Sequence, residues 1–358
     1  MKALFAVCIY LCLTVGSSAA EQAISVYDGA VLTEDVTWSG SILVRGFVVV
    51  APQATLRIDP GTVVRFAASA AQQLPNLVVQ GRLHAAGSPE RPIILTSDQS
   101  KPVRGSWGGI VFLSTEKRNL LDRCRIEYAD TGIDLRFSTV TLKSVSIDQA
   151  RTALLSHDGV VQMTGGSISN SDTGIEIHNS EFDGRDTTVD SCRFGFQLNK
   201  SSVVLAAPKV VNNLQSGVEA SECRIKISGG EFSGNAVGAR INGGEGQIVM
   251  SRFLRNRQTA LHLIGSRIKI QRCLFADNHQ DGLRTEDGWA LLLNNAFSSN
   301  VGFNLYNAGS EVVSARQNWW GTADKSLIRQ KIHDTARDKA IGAVDIFPWL
   351  NEKPVLMP

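Results

Sequence analysis

The sequence predicts an all-β protein built as a parallel β-helix, a solenoid of stacked turns. Three observations carry this. Nine pentapeptides (TGIDL from 131, TALLS from 152, TGIEI from 173, FGFQL from 194, SGVEA from 216, VGARI from 237, TALHL from 259, DGLRT from 281 and VGFNL from 301) recur every 20 to 22 residues. Side chains within them alternate, so Ile175 with Ile177 and Phe196 with Leu198 share a buried side, the pattern of a strand. No window keeps an apolar pattern at helical spacing through these units, which disfavours solenoids with one helix per repeat.

Each unit opens with a second alternating segment, such as TVTLKSVSI from 139, CRIKISGGEF from 223 or RIKIQRCLF from 267, and then a polar turn. Two or three short strands closing on themselves in one repeat place successive turns roughly 4.8 Å apart. Asn213, Asn235, Asn256, Asn278 and Asn300 recur at 21 or 22 residues and predict a ladder of stacked amides, each bonding its neighbours above and below. The column of Gly132, Gly174, Gly195, Gly217, Gly238, Gly282 and Gly302 fits a bend where a β carbon is unwelcome. Alanine at 153 and 260 argues against a positive φ at every turn.

Residues 1–20 read as a signal peptide: Lys2, an apolar run from Leu4 to Val15, and Ser18 with Ala20 before Glu21. Cys12 follows Leu11 without the small residues of a lipoprotein cleavage site, and the apolar run is too short for a membrane span. The chain is therefore expected outside the cytoplasm, in the periplasm or beyond, with no membrane span. The rest divides into cap strands (21–50), the β-helix (51–321) and a C-terminal cap (322–358). At the start, Trp38 is expected over the apolar end of the coil. At the finish, TADKSLIRQKIHD from 322 predicts an amphipathic helix through Leu327, Ile328, Lys331 and Ile332, and Trp319, Trp320, Phe347, Pro348, Trp349 and Leu350 supply apolar cover. A formal charge of +2 leaves no electrostatic footprint for nucleic acid.

Four cysteines follow the signal segment, and export would ordinarily pair them. Register opposes this. Cys124 and Cys273 lie seven units apart, roughly 34 Å at the turn spacing, against about 7 Å between the α carbons of a disulfide. Buried free thiols are expected.

The fourth residues of the pentapeptides point outward as a column: Asp134, Leu155, Glu176, Gln197, Glu219, Arg240, His262, Arg284 and Asn304. A second column follows two residues on: Arg136, His157, His178, Asn199, Ser221, Asn242, Ile264, Glu286 and Tyr306. The first is either a solvated face or a polar groove matched to an extended polymer, with Glu176, His178, Gln197, Glu219, Arg240 and His262 as the ligand-binding candidates. His157, His178 and Glu176 could serve as an acid/base group, but two histidines lack the further ligands of a closed zinc site, and no metal is assigned. Calcium enters only through the acidic unit Glu181, Asp183, Asp186 and Asp190, otherwise a turn of variable composition, so no cofactor is assigned.

The segments Thr37 to Phe66, LVVQGRLHAAGSPERPIILTSD from 77, SWGGIVF from 106, QNWWG from 317 and VDIFPWL from 344, with the repeats between them, resemble the right-handed parallel β-helix repeats of the pectate-lyase-like superfamily, in particular exported bacterial β-helix proteins. The resemblance implies a right-handed coil. Lyases, hydrolases, epimerases, adhesins and proteins without a known reaction share it, so it implies no single activity. Asn170 to Thr173 loosely resemble an Asn-Thr-Asp segment of polygalacturonase-like enzymes, and RIKI at 224 and 267 echoes another. The paired aspartates and Gly-His-Gly segment of those enzymes are absent. The leading expectation is a scaffold that binds an extended ligand, a polysaccharide or another envelope component, without catalysis. A polysaccharide lyase or epimerase on uronate polymers is the second class, and a structural or adhesive surface protein the third.

Overall fold

The computed structural model describes residues 24–67 and 74–356; the signal segment lies outside them. Each repeat forms three short strands on three parallel sheets. One turn runs Thr173–His178, Glu181–Arg185 and Thr188–Asp190; the next runs Phe194–Asn199, Ser202–Ala206 and Lys209–Val211. We call these the first, second and third sheets. Every strand pairs in parallel with its equivalent one turn later, as in Ile175 with Phe196 and Phe196 with Val218. The result is an all-β right-handed coil of about 13 turns.

Inward residues of all three sheets form one continuous apolar column. Phe232, Phe253, Phe275, Phe297 and Trp320 stack with centroids 4.8 to 5.1 Å apart, one ring per turn. Beside them runs the predicted amide ladder. Nδ2 of Asn213, Asn235, Asn256 and Asn278 donates to Oδ1 of the next asparagine at 2.9, 3.3, 3.0 and 2.8 Å, and each receiving oxygen also accepts the backbone N–H of the asparagine before it. All five amides are buried, so the ladder satisfies polar groups that burial would otherwise leave without water.

The pentapeptide glycines are not the bends. Gly174, Gly195, Gly217 and Gly238 have no left-handed φ; a β carbon at Gly195 would sit 2.3 Å from the carbonyl oxygen of Gly217, so close approach between turns selects glycine here. Bending is done by single left-handed residues at the corners, many of them not glycine: Asn179, Lys200 and Glu222 between first and second sheets, Asp186 and Ala207 between second and third, Asn170, Ser191 and Asn212 between third and first. Two late turns bend without a break, and Leu261–Gln271 and Leu283–Leu293 run through from first sheet to second.

At the N-terminal end Trp38 is buried and packs against Tyr27 at 5.1 Å. At the other end the helix is shorter than expected, Lys325–Gln330. Asp324 accepts from the N–H groups of Ser326 and Leu327 at its start, and only Ile328 is buried in it. Leu327 faces solvent and Ile332 belongs to a strand, because the chain turns back to pair with Leu305. Trp320 closes the ring stack, and Phe347, 68% exposed, meets edge-on at 5.7 Å the ring of Trp349, which packs against the core.

The four cysteines are free and buried. Burial pushes the Cys124 and Cys273 thiols up to about 12 and Cys192 up to about 11, which makes them inert core residues.

Candidate functional site

The first outward column is in register from Asp134 through Leu155, Glu176, Gln197, Glu219, Arg240 and His262 to Arg284. It then departs from the sequence reading. Tyr306, not Asn304, stands over Arg284, while Asn304 turns inward, accepts from Asn300 Nδ2 at 2.9 Å and donates to the carbonyl of Trp320. Asp134 is buried and held by Arg136 at 2.8 Å. From Glu176 to Arg284 the side chains are partly exposed, so this stretch alone offers a polar face.

His157 and His178 are adjacent, their rings parallel with centroids 4.7 Å apart, and His178 Nε2 lies 2.9 Å from Glu176 Oε1. The three candidate catalytic residues are thus brought together, with one hydrogen bond among them. Glu219 accepts from Ser216 Oγ at 3.2 Å and sits 3.7 Å from Arg240. Farther along, Glu286 accepts from Arg284 Nε at 2.8 Å and lies 3.1 Å from His262 Nε2. That second contact places the largely buried His262 ring at ion-pair distance from the Glu286 carboxylate. Burial pushes His262 toward its neutral form, and Arg240 and Arg284 add to this against the pull of Glu286. Burial works against the Glu286 carboxylate, but the hydrogen bond from Arg284 and the neighbouring His262 outweigh it and hold Glu286 below the usual carboxylate range.

The acidic unit does not gather. Glu181 and Asp183 lie on the second sheet, Asp186 at a corner and Asp190 on the third sheet, and Asp183 is engaged by Arg185 at 2.9 Å. Among the described residues no group of three or more His, Cys, Asp or Glu side chains is placed to hold a metal ion.

A feature missed in the sequence lies on the outer face of the second sheet, where an open cleft of 910 Å³ is lined by Arg224, Lys226, Glu245, Gly246, Gln247, Arg267, Lys269 and Trp289. Register explains the set. Arg224, Glu245, Arg267 and Trp289 form one column and Lys226, Gln247 and Lys269 the next. The two RIKI segments, two turns apart, supply all four cations. The one carboxylate, Glu245, pairs with Arg224 at 3.2 Å in an exposed contact, so the cleft keeps a net positive charge. Gly246 is enforced by packing, since a β carbon there would fall 1.9 Å from the carbonyl oxygen of Ile225. Trp289 is half exposed at one end, an aromatic face open to a flat apolar partner.

Comparison with known families agrees with the fold. The family described as pectate-lyase like beta helix domain matches residues 30–134, and that described as right handed beta helix region matches residues 173–318. Among solved structures, the A-module of the Azotobacter vinelandii mannuronan C-5 epimerase AlgE6 is similar at 10% identity over 94% of this chain and 92% of that one, with a TM-score of 0.46. A double mutant of the periplasmic alginate epimerase AlgG is similar at 9% identity over 87% and 74%, with a TM-score of 0.38. Tailspike protein 3 of bacteriophage CBA120 is similar at 11% identity over 92% and 56%, with a TM-score of 0.35. No curated protein matches the chain in sequence.

Proposed function

The chain belongs to the pectate-lyase-like parallel β-helix family, and from this premise we propose that it is an exported scaffold that binds an extended, negatively charged polysaccharide or related envelope polymer without transforming it. The observation that carries this reading is the second-sheet cleft: four cations against one carboxylate, spread over three successive turns, with Trp289 at the end. Arg224 and Arg267 stand two turns apart, roughly 9.6 Å, a spacing that suits charged groups repeating along a chain laid parallel to the coil axis. Guanidinium groups bind carboxylates through paired hydrogen bonds, and Trp289 would stack on a sugar ring. The cleft offers no histidine or uncommitted carboxylate to move a proton, which supports retention over reaction.

The test is retention of the purified protein on immobilised acidic and neutral polysaccharides, with and without calcium, while absorbance from unsaturated products is recorded. Acidic chains should be retained, less so as salt rises, and replacing Arg224 and Arg267 together by glutamine should release the protein. Unchanged retention of that double variant would remove the cleft from the reading.

A second reading, a polysaccharide lyase or epimerase, is favoured by the His178 contact to Glu176 beside His157. Unsaturated-product absorbance lost on His178→Gln would establish the lyase; an epimerase, which leaves a saturated polymer, would be established by inversion at the sugar ring carbon seen by NMR and lost in the same variant. If the first-sheet face of Glu176, His178, Gln197, Glu219, Arg240 and His262 carries the polymer instead, Glu219→Ala with Arg240→Ala will weaken retention while the cleft variant does not. Neither retention nor product would favour a structural or adhesive role.

A further inference from the structure

Exposed apolar side chains collect where the second sheet ends. Leu283–Leu293 pairs with the turn before it so that Trp289, Leu291 and Leu293 stand outward over Arg267, Lys269 and Gln271. One turn later Ser314 pairs with Leu291, which sets Val312 over Trp289, and Asp345 in turn pairs with Ser314. Phe347 lies two residues farther on the same side, bracketed by hydrogen bonds from the N–H groups of Ala315 and Gln317 to the carbonyls of Asp345 and Pro348. Trp289 is 49% exposed, Val312 62% and Phe347 68%, and Arg316 pairs with Asp345 between them, so the patch carries no net charge of its own. Arg267 and Lys269 stand one turn back, roughly 4.8 Å, and Arg224 and Lys226 three turns back, roughly 14 Å. An apolar patch edged by cations is matched by a partner with both properties. A soluble polyanion answers the cations but leaves the apolar turns in water, and a second copy of the chain covers the apolar turns while bringing more cations. An anionic bilayer answers both, with charged headgroups in a layer about 5–8 Å deep above hydrocarbon.

We propose that the C-terminal end of the second sheet is a docking surface for an anionic lipid bilayer. Trp289, Leu293, Val312 and Phe347 enter the interface, and Arg267 with Lys269, one turn behind, reaches the headgroups. Arg224 and Lys226 lie farther out, where the attraction of the surface has fallen off over a distance comparable to the screening length. The surface shares its cations and Trp289 with the cleft but does not rest on polymer binding, since Val312 and Phe347 stand outside the cleft lining. Asp287 and Glu311 border the patch at the corner toward the first sheet, and they are the carboxylates that oppose docking.

The test is sedimentation of the whole protein with vesicles of phosphatidylcholine alone and of phosphatidylcholine mixed with phosphatidylglycerol. Mixed vesicles should carry the protein down, less so as salt rises, and phosphatidylcholine alone should not. Arg267→Gln with Lys269→Gln should weaken vesicle binding by about twentyfold, since each cation close to such a surface contributes about fivefold, and Arg224→Gln with Lys226→Gln should weaken it less. Val312→Ser with Phe347→Ser should weaken it by about tenfold, the scale of burying these side chains, while leaving retention on acidic polysaccharide unchanged. Glu311→Gln should tighten it. The proposal is overturned if mixed vesicles do not bind, if the two Arg–Lys pairs weaken binding equally, or if the Val312 and Phe347 variant binds vesicles as the parent does. It is also overturned if that variant loses polysaccharide retention to the same degree, which would give the patch to the polymer, or if it abolishes a dimer seen without lipid by analytical ultracentrifugation, which would give the patch to a second copy. Because polysaccharide retention is measured separately, failure on vesicles leaves the polymer reading standing.

Discussion

Replacing Asn256 by alanine removes four side-chain hydrogen bonds from the centre of the amide ladder. Its Oδ1 accepts from the backbone N–H of Asn235 at 3.1 Å and from Asn235 Nδ2 at 3.3 Å; its Nδ2 donates to the carbonyl of Phe232 at 3.1 Å and to Asn278 Oδ1 at 3.0 Å. The losses are unequal. Asn235 Nδ2 keeps its bond to the Val210 carbonyl, and Asn278 Oδ1 keeps the backbone N–H of residue 256, but the N–H of Asn235 loses its side-chain acceptor in a buried site. One orphaned donor at about 1–3 kcal/mol and three weakened groups at about 1 kcal/mol each give a loss of about 5 kcal/mol. Asn256→Asp separates the two halves of the ladder: it restores the acceptor for Asn235 but sets a buried carboxylate against two acceptors, so it should be at least as damaging at neutral pH and milder in acid, where the protonated group can donate. Urea unfolding followed by far-ultraviolet circular dichroism measures both. A loss below about 1 kcal/mol for alanine, or an aspartate variant as stable as the parent at neutral pH, would refute the assignment of the ladder as a principal polar support of the coil.

Gly195→Ala should destabilise by about 1–3 kcal/mol in the same assay, because its β carbon would fall 2.3 Å from a backbone oxygen that cannot swing away. Lys200→Gly should do the opposite: Lys200 is an exposed corner residue with φ of 48°, and removing its β carbon relieves left-handed strain for a net gain of about 0.5–1 kcal/mol. Folding lowers the proton affinity of His262, first through burial, so between the ordinary histidine value of 6.5 and the depressed folded value the unfolded chain binds the extra proton. Stability therefore falls as pH drops through that window, and His262→Gln should flatten this part of the profile of thermal midpoint against pH. Glu286, held below its ordinary 4.5, contributes stability above that value that is lost in more acid solution, so a second decline should survive in His262→Gln and disappear in Glu286→Gln.

The coil was legible because stacking acts on every turn alike. A spacing of 20 to 22 residues sets Glu176, Gln197, Glu219, Arg240 and His262 above one another, and the register confirms each step. The spacing misled at the last turn, where Asn304 serves the interior by bonding Asn300 and Trp320, so the register slips by two residues and Tyr306 takes the outward place. Corners were hidden for a different reason. Left-handed φ is tolerated by Asn, Asp, Ser, Lys and Glu here because neighbouring turns hold the backbone in place, and no single residue type marks the positions.

The cleft escaped notice because its cations are written as repeats. Arg-Ile-Lys-Ile at 224 and at 267 satisfies the demand for buried isoleucine at alternate positions, and that demand alone explains half of each segment. The other half is free of the stacking constraint. Ile225 and Ile268 must face inward, but Ser202 and Val204 one turn before Arg224 and Lys226 show that the outer positions can be uncharged. Placing four cations on two of three successive turns, with Gly246 between them and Trp289 beside them, therefore concentrates repulsive charge on a face whose packing does not require it. Like charges one or two turns apart cost stability, and a polyanion laid over them would repay that cost by releasing their repulsion and its own counterions. If this holds, neutralising Lys226 and Lys269 together should leave the fold intact or slightly stabilise it while weakening retention on acidic polysaccharide, and a variant that loses stability and binding in parallel would show instead that the cations serve the coil.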